Sequence, residues 1–329
     1  MRPLLYNNHT RQATWLELFF DLVFVAVIGA INHDLAHTHN GIISSEQLLR
    51  LPLVFIPVWW IWATHTVYAN RFDNDDRFHR FCALIIMALL VVLATYEEGS
   101  HGHDFLHFNI IYVVIRVLLA GLYLRIHSKC KETVHFAKET SISILIGAAI
   151  TGSAIFAEGN IKFTLFYSGI IADMVLQIRL HQKTKKLPVD RKHLVERIGL
   201  LAIIILGESV ISIISSLSDQ SSWDIYDIIA TISGFTMIWA IWWIYYDSFH
   251  NLERAKKIKD GNILVFTHLF LCMGLIILAT LIGHSIKCDL DQTTFRMLAI
   301  TGMCCFYLGK QIIYFVCFPP FGNMIIINT

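Results

Sequence analysis

Glu17, Asp21, Arg116, Asp173 and Glu208 each stand within a run of apolar residues, a setting in which an ionisable group needs a physical reason. A charge near the centre of an apolar helix costs roughly 2.5–3.5 kcal/mol, against about 0.3–0.6 kcal/mol gained per Leu, Ile, Phe or Val. Such groups pair with one another, hold an ion, or carry a proton. Setting Asp21, Asp173 and Glu208 against Arg116 leaves an excess of two negative charges when all are ionised. A low-dielectric interior does not tolerate that excess, so protons or a cation must restore the balance, and either outcome describes a coupling site.

The spacing sorts these groups further. Glu17 closes the capping box "TWLE", in which Thr14 accepts from the first free amides of a helix and Glu17 reaches back to it. That gives Glu17 a structural reason alongside a coupling role. Asp21 lies about 10 Å deeper than Thr14, where neither cap nor helix dipole helps it. Asp173 continues to Gln177 and His181 at helical spacing, and Glu208 to Ser212 and Ser215, which predicts inward-facing polar stripes. His65 is either a partner for Asp21 or a packing residue. The expected coupling set is Asp21, Glu208, Arg116 and Asp173, with Glu17 and His65 beside them.

Other chemistry is weakly signalled. "NHDLAHTHN" and "EEGSHGHD" bring His33, His37, His101 and His103 close to acids, but no standard metal-ligand spacing appears, so these loops are read as solvated and no metal site is expected. Seven cysteines without a C-x-x-C pair offer neither a disulfide framework nor a zinc signature. No phosphate-binding glycine loop, H-E-x-x-H or nucleophile elbow occurs, so neither an enzyme nor a cofactor is expected.

The elements that must position these side chains are membrane helices. A chain of 329 residues that is 55% hydrophobic and only 16% charged is too apolar for a soluble domain of its size. Apolar runs long enough to cross a bilayer recur near 14–36, 48–70, 79–97, 105–127, 139–157, 161–180, 193–217, 223–247, 263–285 and 293–318. The first is too long and too acidic for a cleaved signal peptide. Lys and Arg alternate between the connections: Arg71, Arg77 and Arg80; Arg125 to Lys138; Arg179 to Arg197; and Arg254 to Lys259 fall on one side. Arg50, Lys162 and Lys287 fall on the other, which predicts a cytoplasmic N-terminus. On that side "NRFDNDDRFHR" could act as a latch, its charges pairing with helix ends.

A weak repeat accompanies this pattern. Trp59 and Trp242, Ala94 and Ala279, and Tyr123 and Tyr307 are offset by 183, 185 and 184 residues. The offset predicts an all-α, polytopic bundle of two parallel six-span repeats, 1–190 and 191–329, the second stopping after four spans as in a truncated product.

"ELFFDLVFV", "YANRFDNDD", "VERIGLLAIIILGESVIS" and "WWIYYD" together resemble the low-temperature-requirement A (LtrA) family. The resemblance runs from about Arg11 to the end. It implies an integral protein of the bacterial cytoplasmic membrane, tied to growth in the cold, and charged motif positions at Glu17, Asp21, Asn70, Arg71, Asp73, Glu196, Arg197, Glu208 and Asp247. "LELFFDLVFVAVI" is also similar, more faintly, to the first helix of two-repeat, six-span potassium channels, with Asp21 aligned and Phe20 not. The function expected is a proton- or cation-coupled transporter of unknown substrate, the alternatives being a cation channel and a non-transporting sensor or stress-tolerance factor. Its partners would be the lipid bilayer, a small ion or molecule and, for some arrangements, further copies in a homo-oligomer; nucleic acid is not among them.

Overall fold

The computed structural model describes residues 12–31, 35, 38, 41–72, 76–96, 104–127, 130–183, 189–218, 220, 222–250 and 261–317. Among them are ten long helices: α1 (Trp15–Ile31), α2 (Ser45–Phe72), α3 (Arg77–Ala94), α4 (Phe105–Leu124), α5 (Lys131–Ser153), α6 (Ile161–Lys183), α7 (Arg191–Ser218), α8 (Ile225–His250), α9 (Asn262–Lys287) and α10 (Gln292–Cys317). Nine of them are long and apolar enough to cross a membrane. The exception is α1, whose 17 residues rise only about 26 Å.

Short polar residues set the helix starts. Thr14 and Glu17 form the expected capping box, with Thr14 N and Oγ1 donating to Glu17 Oε2 at 2.8 and 3.0 Å and Glu17 N donating to Thr14 Oγ1 at 3.3 Å. Ser44 and Gln47 repeat the device at α2. Asp76, Asp190 and Asp291 accept from amides of the first turns of α3, α7 and α10. Helix α5 starts at Lys131, well before the apolar run that marks it in the sequence. Its first turns are amphipathic: Thr133, Phe136, Ala137 and Thr140 are buried while Lys131, Glu132, His135 and Lys138 face outward, a pattern that a hydropathy window averages away.

Helix α2 contains Pro57, which has no N–H to give the carbonyl of Leu53. The Tyr167 hydroxyl from α6 donates to that carbonyl instead, at 3.0 Å.

The chain divides into two compact units, residues 1–37 with 43–197, and residues 38–42 with 198–329. The first holds α1 to α6 and the opening two turns of α7. Its centre is aromatic: Trp59 and Trp62 rings lie 4.8 Å apart, and Phe24 is 5.7 Å from Trp62. Helices α5 and α6 meet at Gly147 and Gly169; a Cβ on Gly147 would lie 2.6 Å from Asp173 Cβ. In the second unit α9 packs against α8 and α10. Its approach to α10 is close enough that a Cβ on Gly274 would lie 2.5 Å from Phe306 N. Ser212 of α7 donates to Ala279 O of α9 at 3.1 Å. The outward faces, including Phe81, Leu84 and Val91 of α3 and Ile232, Phe235 and Trp239 of α8, are exposed and apolar, as a lipid-facing surface requires.

Candidate functional site

The buried charges of the first unit form two separate hydrogen-bonded groups, carried on opposite sides of α2. In the first, Arg116 of α4 forms an ion pair with Asp173 of α6, both buried. Asp173 Oδ2 accepts from Arg116 Nη2 and from Trp60 Nε1, and its Oδ1 accepts from Ser143 Oγ at 3.0 Å and Gln177 Nε2 at 2.9 Å. Arg116 also donates to Thr64 Oγ1 at 2.9 Å. Two donors on each oxygen leave Asp173 no lone pair for a proton. Its charge is met by one guanidinium, so the group is a balanced structural pair. The expected link to Gln177 is present, while the side chain of His181 lies outside the described residues.

The second group is built differently. Asp21 Oδ1 accepts from Trp62 Nε1 at 2.7 Å and from Arg197 Nη2 at 2.5 Å, whereas its Oδ2 has only Arg197 Nε at 3.4 Å. Glu17 Oε1 lies 3.6 Å from Arg197 Nη1, an ion-pair distance beyond hydrogen bonding. His193 Nε2 is 3.3 Å from Glu17 Oε2, and Asn70 Nδ2 is 3.0 Å from His193 Nδ1. Glu17, Asp21, Asn70, His193 and Arg197 are all essentially inaccessible.

This arrangement corrects two expectations. The tally that set Asp21, Asp173 and Glu208 against Arg116 omits Arg197, which is counted with the loop charges although it falls inside the apolar run 193–217. Helix α7 begins at Arg191, so Arg197 is nearly two turns inside and shares the face of His193 at i+4. Within the first unit Asp21, Arg116 and Asp173 also do not form one site: Asp21 belongs with Arg197 and Arg116 with Asp173, while Glu208 lies in the second unit. There Glu208 is half-buried and, among the described residues, makes no hydrogen bond or ion pair. Its stripe is rotated from the expected one, with Ser209 and Ser216 buried, Ser212 on α9 and Ser215 exposed.

His65 does not pair with Asp21. It stacks on Phe20 at 4.0 Å and faces His79 of α3, Nε2 to Nε2 at 3.3 Å, while its buried Nδ1 has no hydrogen-bond partner among the described residues. Arg71 is buried with its guanidinium 4.7 Å from the Phe136 ring, Glu196 is partly exposed and Asp247 is exposed. His33, His37, Asp73, His101 and His103 lie outside the described residues; among the described residues no group of three or more His, Cys, Asp or Glu could hold a metal.

Several partners escape a reading of the sequence. His193 carries a signal only in hindsight, its i+4 spacing to Arg197. Trp60 and Trp62 stand out as a tryptophan-rich stretch, but nothing in the sequence separates a donor indole from a packed one. Lys310, buried in α10 between the rings of Tyr307 and Tyr314, is a lone lysine in an apolar run and was there to be read. In the same unit His268 donates from Nδ1 to Leu264 O at 2.7 Å, so its Nε2 accepts from Tyr245 Oη at 3.2 Å.

The family profile described as bacterial low temperature requirement A protein (LtrA) matches residues 12–326. The chain belongs to the LtrA family. Among curated proteins it is 26% identical over 218 residues to an uncharacterized protein, RA0937, of Rhizobium meliloti (strain 1021). That match takes in 63% of this chain and 52% of the relative, so the chain spans about half the relative's length. No solved structure matches. The LtrA motifs quoted above, distant in sequence, meet in the second buried group: Glu17 and Asp21 from "ELFFDLVFV", Asn70 from "YANRFDNDD" and Arg197 from "VERIGLL". This LtrA chain is thus a multi-pass membrane protein in which four of the motif residues, Glu17, Asp21, Asn70 and Arg197, share one buried hydrogen-bonded set.

Proposed function

We propose that this LtrA protein is a proton-coupled secondary transporter, not an enzyme, and that Asp21 is its proton-binding group. The observation that carries the reading is the contrast between two equally buried acids. Asp173 has a full complement of donors on both oxygens, whereas Asp21 has short donors on Oδ1 and only a 3.4 Å contact on Oδ2. Oδ2 therefore has a lone pair for a proton, beside a second carboxylate and a guanidinium that respond to its charge. Arg197 makes this group proton-selective in function, since a fixed cation disfavours a metal cation in the same space. Glu208, half-buried in the second unit, is the second titrating carboxylate of the proposal. The reading includes a cytoplasmic N-terminus in the bacterial inner membrane and two parallel repeats.

The test is an untargeted uptake screen on proteoliposomes, offering a cell-extract metabolite mixture under an imposed pH gradient. At least one compound should accumulate with the gradient in wild type and fail to do so in Asp21→Asn, with the variant still folded. Equal accumulation in the two would remove Asp21 from the mechanism. Passive flux of cations that rises without saturation would favour a channel instead, and no gradient-dependent accumulation by wild type would favour a sensor.

A further inference from the structure

The hydrogen bonds around Asn70 determine the protonation state of His193. The Asn70 amide spans the backbone of Asp190: its Nδ2 donates to Asp190 O at 2.9 Å and its Oδ1 accepts from Asp190 N at 3.0 Å. The Asp190 N–H can only donate and the Asp190 carbonyl can only accept, so the Asn70 amide cannot be turned over without opposing like groups at both contacts. Its second Nδ2–H therefore points to His193 Nδ1, which must accept. The imidazole proton is then on Nε2, facing Glu17 Oε2. His193 is neutral in this arrangement, in one defined tautomer.

We propose that His193 is the proton-exchange residue of the Glu17–Asp21–Arg197 cluster, and that a proton arriving at its Nδ1 displaces the Asn70 amide and unclamps the end of α2 from the start of α7. This deepens the reading of that cluster as a proton site and rests on it for its purpose; the clamp itself is a property of the folded chain. Asp190, partly exposed, marks the solvent side, and hydrated protons are the donor. One N–H bond forms at Nδ1, the Nε2–H bond breaks, and an O–H bond forms on Glu17, leaving a neutral imidazole in the other tautomer. In that tautomer Nδ1–H opposes the Asn70 N–H, two donors at 3.0 Å, and the contact must open. The titratable and charged groups around His193 are Glu17 and Asp21 of α1, Asp190 and Arg197 on its own segment, and His65 of α2 behind Arg197. Asn70 is thus a positioning residue.

The experiment uses the full-length protein in lipid nanodiscs with ¹⁵N-labelled histidine, His193 being assigned by difference from His193→Gln. At about pH 8 His193 should show the Nε2–H tautomer. Asn70→Asp, which presents an acceptor in place of the donor, should move the proton to Nδ1 at the same pH. As the pH is lowered, protection of the Asp190 amide, corrected for the intrinsic pH dependence of exchange, should fall roughly tenfold, the loss of about one hydrogen bond of local stability. An Nδ1–H tautomer in wild type at high pH, or Asp190 protection unchanged through the titration, overturns the proposal, and both are read on wild type even if Asn70→Asp does not fold. The uptake screen separates the two ideas. Normal gradient-driven accumulation in Asp21→Asn with the expected His193 behaviour removes Asp21 as the proton-binding group and leaves the clamp; an Asp21-dependent accumulation with the wrong tautomer does the reverse.

Discussion

At the scale of single residues, the two buried acids should answer an identical substitution differently. In Asp173→Asn one oxygen that accepts two donors becomes an N–H₂ facing them, and Arg116 is left without a counter-charge. Breaking a buried pair in this way costs about 3–5 kcal/mol. In Asp21→Asn the amide nitrogen can take the place of Oδ2, whose one hydrogen-bond contact among the described residues is the long one to Arg197 Nε at 3.4 Å, and Oδ1 keeps both of its short donors. The asparagine imitates the protonated acid, and Arg197 retains Glu17 at 3.6 Å. The cost should stay under about 2 kcal/mol. Thermal unfolding of matched preparations measures the difference; equal losses would mean that both acids are plain ion pairs. Some of this was legible beforehand. The capping box of Glu17 and the i+4 bond of Gln177 to Asp173 are local, and local geometry follows from spacing. Arg197 and His193 lie 176 residues from their partners in α1, and no spacing rule reaches across that separation. Trp60 and Trp62 were visible as residues and invisible as donors, because an indole packs or donates according to what faces it.

At the scale of elements, the latch expected in "NRFDNDDRFHR" takes a specific form at Asp76. It caps α3 through the His79 amide at 2.8 Å and pairs with Arg125, just past the end of α4, at 2.6 Å. Burial alone would raise its carboxyl, but the His79 amide and the Arg125 guanidinium outweigh that and hold it below the ordinary carboxylate range. A depressed folded-state value stabilises the protein above the unfolded value, near 4, and the contribution is lost as pH falls through the folded one. Wild type should therefore unfold at a higher temperature than Asp76→Asn at pH 7, and the gap should close below about pH 4 and narrow in 1 M salt. A gap independent of pH would show that the cap geometry matters and the charge does not. Gly147 gives a second element-scale test. A Cβ there would fall 2.6 Å from Asp173 Cβ and 3.0 Å from Gly169 O, so Gly147→Ala must push α5 and α6 apart or displace Asp173. A loss of about 1–3 kcal/mol is expected, as for overpacking elsewhere. The same change at Gly121, which has nothing within 4 Å, should be neutral or stabilise by up to about 1 kcal/mol, as helix propensity favours alanine over glycine, and serves as the control.

At the scale of the whole molecule, the helix count and the all-α class follow from hydropathy because each span must satisfy its own backbone in lipid. The start of α5 does not, because its first turns are amphipathic; Arg197 stays hidden because it is counted with the loop charges although it stands inside the run 193–217. The orientation expected from Lys and Arg is open to direct test at exposed, described positions. A single cysteine at Glu132 should be labelled by an impermeant reagent only after the membrane is opened, and one at Glu158 in intact cells, in a background lacking the native cysteines. The reverse pattern would invert the chain and place the Asn70–Asp190 clamp on the outer side.

The two indoles of α2 link these scales. Trp60 and Trp62 are two positions apart, about 200° around the helix axis, and each donates to a different buried aspartate, Asp173 and Asp21. A turn of α2 about its own axis cannot lengthen one of these bonds without straining the other. Helix α2 therefore ties the two buried acids together through its indoles. On the proposal that Asp21 binds a proton, thermodynamic reciprocity requires that anything loosening Trp60 from Asp173 also changes how readily Asp21 takes it up.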